Sequence, residues 1–184
     1  SLFSGTSAST NDGSQLFSSV VMTFSNIADS DNEFIYADGQ QLSLIDTALT
    51  SVGGISDFEY EISMSGTTAM ITFTKSNDFT STNVNSLIDN LGYINTKADP
   101  TDGDRVATLT LITDEGSDNN STVLDISSTV LVEDANSAEV TNTVPGAQTV
   151  DEDTVLPFTG LNIIELSAVS GTVSGTATTK LTVD

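Results

Sequence analysis

The chain has 184 residues and sets 4 Lys plus Arg against 26 Asp plus Glu, a formal net charge of −22 at pH 7. So few cations exclude a phosphate-binding surface, hence nucleic acid as a partner, and disfavour an anionic membrane face. The absence of Cys and His removes disulfides, thiol chemistry, and the commonest general base and transition-metal ligand.

Self-repulsion at this charge destabilises a compact state unless cations offset it. An oxygen-only calcium site therefore remains open, whereas zinc does not fit. No apolar run approaches the ~18 residues that span a bilayer, so no membrane insertion is expected. Ser and Thr make up more than a quarter of the chain, which suits β-structure in an extracellular setting. A first residue of Ser instead of Met fits a processed or excised chain.

In chain order, 1–14 is polar and small, a loop to which Leu2 and Phe3 add a short edge strand. Leu16 to Ile27 carries a strand signal through Val21, Thr23 and Phe24. An acidic turn, Ala28 to Glu33, leads to a strand through Phe34, Ile35 and Tyr36. Asp38-Gly39 is a hairpin signal before Gln41 to Ile45, and Gly53-Gly54 marks a further turn. Phe58, Tyr60, Ile62 and Met64 alternate with Glu59, Glu61 and Ser63, a half-buried strand. Gly66 turns it into a return strand, Ala69 to Thr74.

Val84, Leu87, Ile88 and Leu91 fall at i, i+3, i+4 and i+7, which predicts one helical face over about 82–91. Ser81, Thr82 or Asn83 can cap it. Arg105 to Thr113 reads as a strand between two acidic loops, and about eight extended residues at ~3.3 Å hold those loops roughly 25 Å apart. Val123 to Val132 is another strand, with Leu124, Ile126, Val130 and Val132 on one side. Strands at this spacing with a single helix predict an all-β sandwich, not βαβ units.

The stretch from Glu133 to Asn142 is polar and turn-rich and reads as a linker or joint. Short strands follow at Thr149 to Val150, Val155 to Phe158, Ile163 to Leu166 and Thr178 to Val183. The expected organisation is a sandwich over 1–132, a joint over 133–142, and a remainder over 143–184. That remainder is a partial second repeat, or its strands complete the first domain or a neighbouring molecule by strand addition.

Calcium takes six to eight oxygens, and Asp-x-Asp spacings supply several from one loop. Asp99, Asp102 and Asp104 are the first candidate set; Asp114, Glu115 and Asp118 the second. Asp29, Asp31 and Glu33 form a third. Glu133 and Asp134 with Asp151, Glu152 and Asp153 make a joint site if the linker brings them together. Against each stands a solvated turn that uses Asp and Gly for their backbone habits. Arg105, the lone arginine, reads as a salt-bridge partner of Asp99 or Asp102. Glu59 and Glu61 share a strand face without flanking a bond, which speaks against a glycosidase. Tyr36, Tyr60 and Tyr93 fit packing better than sugar stacking. No catalytic residue is expected.

Several phrases carry a resemblance: VVMTFSNI before an acid-rich turn, FIYADGQQLSL, FEYEISMSGTTAMITFT, NVNSLIDNLGYINTKADPTDGDRVATLTLITDEG and VLDISSTVLV. In this order and spacing, over roughly Leu2 to Val132, they resemble a module repeated in tandem in large bacterial surface adhesins exported by type I secretion. TNTVPGAQTVDEDTVLPFTGL, over Thr141 to Leu161, resembles the start of the next cadherin-like or immunoglobulin-like repeat. The resemblance implies an immunoglobulin- or cadherin-like β-sandwich on an extracellular surface, with calcium at domain ends and joints. At the joint, Glu133-Asp134-Ala135-Asn136 lacks the proline such phrases usually carry.

The expected function is thus a non-catalytic, calcium-stabilised extracellular module of an adhesin, a spacer or ligand-presenting unit. Its partners would be adjacent domains, identical subunits, or a glycan or surface ligand. The alternatives are a filament or sheath subunit that assembles by strand addition, and a calcium-dependent carbohydrate- or peptide-binding domain.

Overall fold

Alternation of apolar and polar residues dictates most of the architecture in the computed structural model. The structure describes residues 1–10, 15–52, 57–117 and 120–133, and the backbone of 139–143 and 162–166. The chain divides into two units, Ser1–Glu133 and Asp134–Asp184. The first contains strands β1 (Phe17–Ser25), β2 (Glu33–Ala37), β3 (Gln40–Ser43), β4 (Thr47–Ser51), β5 (Glu59–Ser65) and β6 (Thr68–Phe79). Helix α1 (Ser81–Asp89) follows, then β7 (Gly92–Asn95), β8 (Gly103–Asp114) and β9 (Ser121–Val132).

Six strands form one antiparallel sheet in the order β4-β5-β6-β1-β8-β9, and β3-β2-β7 form a second. The fold is an all-β sandwich with one short helix among the described residues. Its core runs between the sheets through Met22, Phe24, Ile35, Ile71 and Phe73, each fully buried. Phe24 of β1 stacks on Tyr93 of β7 at 5.0 Å between ring centroids, tying one layer to the other.

The helix buries Val84, Leu87 and Ile88, with Leu91 just beyond its end, and packs on β1 and β6. Its cap is Thr80, one residue earlier than the sequence suggests. The Thr80 hydroxyl accepts from the Asn83 amide, and the Asn83 side chain accepts from the Thr80 amide, a capping box with Asn in the usual Glu position. The first residues are laced to this helix and are not a strand. Leu2 N–H donates to the Leu91 carbonyl, Thr6 N–H to Asp89 and Ala8 N–H to Asn85.

The hairpin at Asp38-Gly39 has positive φ at both residues, 48° and 79°, as a two-residue type I′ connection requires. The β5–β6 hairpin pairs Ser65 with Thr68 across Gly66. β4 and β7 are additional to the sequence reading. TALTS offers no large apolar alternation, and β7 begins so soon after the helix that its apolar residues merge with the helical stripe.

In the second unit, β10 (Glu139–Thr143) pairs antiparallel with β11 (Asn162–Leu166). β10 falls partly inside the stretch read as a linker, because EVTNT has no large apolar residue to announce a strand. The strands expected at Thr149 to Val150, Val155 to Phe158 and Thr178 to Val183 lie outside the described residues.

Candidate functional site: the acidic pole

Glu33 opens β2 and shares the inward parity of Ile35 and Ala37, so alternation carries a carboxylate into the core, where it is 0% exposed. A buried charge is costly unless paired and hydrogen-bonded. Arg105 meets that need from β8, where it shares the inward parity of Ala107 and Leu109 and is 1% exposed. Its Nε donates to both Glu33 oxygens at 3.1 and 3.2 Å, and Nη2 lies 3.1 Å from Oε1. Nη1 donates to the Gly103 carbonyl and Nη2 to the Thr101 carbonyl. Glu33 Oε1 also accepts from the Ala28 and Asp29 amides.

Asp29, just before a single 3-10 turn at Ser30–Asn32, is buried beside this pair. Its carboxylate accepts from Asn95 Nδ2, Lys97 Nζ, Thr101 N–H and Thr101 Oγ1, all between 2.6 and 2.8 Å. Arg105 Nη2 stands 3.6 Å away. A carboxylate offers about four acceptor positions, and the protein's own donors occupy four. Burial alone pushes the Asp29 carboxyl up. The hydrogen bonds from Lys97, Thr101 and Asn95 outweigh it and hold the group well below the usual carboxylate range. Two acids and two cations thus balance within the pole.

Tyr93 is the exception. Its hydroxyl is buried beside the Glu33 carboxylate and the Asn95 side chain, yet neither forms a hydrogen bond of ordinary geometry with it. Burial, then the Glu33 charge, pushes its phenol far above the ordinary value.

The same contacts gather two of the acidic segments. Thr101 lies in the 99–104 loop, so its bonds to Asp29 draw that loop onto the 28–33 turn. Asn26 reinforces this by donating to the Asp104 carbonyl, and the Thr96 amide donates to the Asn32 carbonyl. Gly103 pairs with Val132, which sets Glu133 beside the loop. Asp31, Asp99, Asp102, Asp104 and Glu133 are exposed here, around the neutralised interior. Among the described residues, no three acids converge as a metal-holding group.

Asp114 and Glu115 stand at the opposite end of β8, separate from the first pole as the strand length predicts. Asp114 accepts from the Gly116 amide, and Glu115 exchanges bonds with the Leu16 backbone. Asp118, Asp134, Asp151, Glu152 and Asp153 lie outside the described residues.

Sequence reasoning missed Asn95, Lys97 and Thr101 as donors to Asp29, and placed the Arg105 partner in the neighbouring loop. The available signal was that two of only four cations, Lys97 and Arg105, bracket the loop of Asp99, Asp102 and Asp104. With this geometry in view, no protein-family model, curated protein or solved structure matches the chain.

Proposed function

We propose that the chain is a non-catalytic, calcium-stabilised module of an extracellular bacterial surface adhesin, acting as a spacer or a ligand-presenting unit. The observation that supports this reading is the division of labour at the pole. Asp29 and Glu33 are neutralised by Lys97 and Arg105, and Asp31, Asp102, Asp104 and Glu133 are exposed around them where the first unit ends. In a chain of net charge −22, exposed carboxylates on one end of the module repel one another, and a divalent cation relieves that repulsion with oxygen ligands alone. The role of the ion is mechanical: it stiffens the pole from which the chain continues. The partners are adjacent domains or identical subunits, with a glycan or surface ligand where the module presents one.

Isothermal titration of the chain with calcium, at fixed ionic strength, tests this. The reading requires saturable binding that weakens when Asp102 and Asp104 become Asn. Heats of dilution alone, with no saturable phase, would sink it.

A further inference from the structure

Strand β9 is one edge of the six-stranded sheet, and among the described residues nothing pairs with its outer side. Edges are normally blunted by Lys, Pro, bulges or brevity. β9 is 12 residues long, has neither Lys nor Pro, and bears a single charge, Asp125, in a chain of net charge −22. The opposite edge, β4, has five residues, and its pairing with β5 slips register between Thr47 and Thr50. The one register shift of β9, opposite Leu109 to Leu111, leaves the alternation of its own side chains intact.

Val123 and Leu131 point outward, 82% and 60% exposed. Leu124, Val130 and Val132 turn toward the core. Ile126 shares that inward side but remains 51% exposed, because a groove of about 730 Å³ opens beneath it. Phe3, Phe17, Ile88, Leu109, Ile112 and Leu124 line its apolar part. A core-facing isoleucine half in solvent marks a second layer that stops short of the β9 edge.

We propose that this edge docks a second copy of the chain, β9 against β9, antiparallel about a two-fold axis at Ser127. In that register Val123 faces Leu131, Leu124 faces Val130 and Thr122 faces Val132. Asp125 faces Thr129, so no carboxylate opposes another. Each contact recurs in reverse, as an isologous pair demands. Even-numbered residues meet even-numbered ones, so both grooves lie on one side of a continuous sheet. The two Ile126 side chains then come within diagonal reach. An acidic chain built to repel its copies along this edge would carry acids there, and β9 carries one. Repulsion between the remaining surfaces makes the association salt-dependent.

The proposal is independent of calcium and is tested in chelator. Sedimentation equilibrium of the 184-residue chain should show a monomer at about 0.02 M salt. The mass should double at about 1 M salt, where the Debye length is about 3 Å. Val123→Lys should remain monomeric in both. The chain has no cysteine, so Ser127→Cys supplies a lone thiol. Directly paired residues in antiparallel strands lie about 4.5–5.5 Å apart between Cα atoms, within the disulfide range. Mild oxidation should cross-link Ser127→Cys into dimers and leave Thr50→Cys, on the other edge, uncross-linked. A monomer at high salt, equal cross-linking of both variants, or polymers larger than a dimer would overturn the proposal.

Discussion

Arg105 of the six-stranded sheet closes on Glu33 of the three-stranded sheet, its Nε within 3.2 Å of both carboxylate oxygens and neither residue more than 1% exposed. The pair bridges the two layers at the end of the core, 72 residues apart in sequence.

Removing one partner strands a charge where water cannot reach it. Arg105→Met is expected to cost about 3–5 kcal/mol in urea denaturation, and Glu33→Leu a similar amount. The double variant should recover most of the loss, since an apolar pair of comparable volume avoids the desolvation cost. Additive losses in the double-mutant cycle would contradict a coupled pair.

Asp29 contributes to the acid limit of the fold. Its folded carboxyl is held below the unfolded value of about 3.9, so its stabilisation is present above that value and fades as pH falls toward the folded pKa. Asp29→Asn should be less stable at pH 7 and should lose less further stability than wild type between about pH 4 and 2. Parallel stability-versus-pH curves for the two would contradict this.

Tyr93 acts in the opposite direction. Its phenol is raised in the fold, so its contribution is present below about pH 10 and is lost as pH rises toward the folded pKa. Tyr93→Phe keeps the stack on Phe24 and deletes a buried hydroxyl that lies beside Glu33 and Asn95 without a hydrogen bond of ordinary geometry. The variant is expected to be as stable as wild type, or about 1 kcal/mol more stable, with a flatter alkaline limb. Destabilisation by more than about 1 kcal/mol would mean that the hydroxyl has a partner.

The helix offers a calibrating pair. Thr80→Ala removes the capping box and should cost about 1 kcal/mol. Leu91→Ala opens a cavity at a fully buried site and should cost about 2–5 kcal/mol. Thermal unfolding in matched buffers ranks them, and the reverse order would contradict the packing.

Features that depend on near neighbours were legible in the sequence. The spacing of Val84, Leu87, Ile88 and Leu91 fixes a buried helical face, Asp38-Gly39 a tight hairpin, and Phe58 to Met64 a half-buried strand. Features set by register between distant strands were not. Nothing within β2 says that Glu33 meets Arg105, because that contact arises only when the three-stranded sheet is laid on β8. The same holds for Asp29, whose partners Asn95, Lys97 and Thr101 lie 66 to 72 residues away. The local preference for Asp99 or Asp102 as the Arg105 partner followed chain proximity, whereas the inward parity of β8 turns that side chain to the core.

The proposed role turns on whether the exposed acids of the pole use a divalent cation. Differential scanning calorimetry of wild type and of the Asp102→Asn, Asp104→Asn variant, in calcium and in chelator at equal ionic strength, addresses it directly. At about 100-fold excess over its dissociation constant, a bound ion adds about 2.7 kcal/mol, a rise of roughly 10 °C for a unit of this size. Wild type should show that rise and the variant a much smaller one. Identical melting of wild type in calcium and in chelator would contradict it.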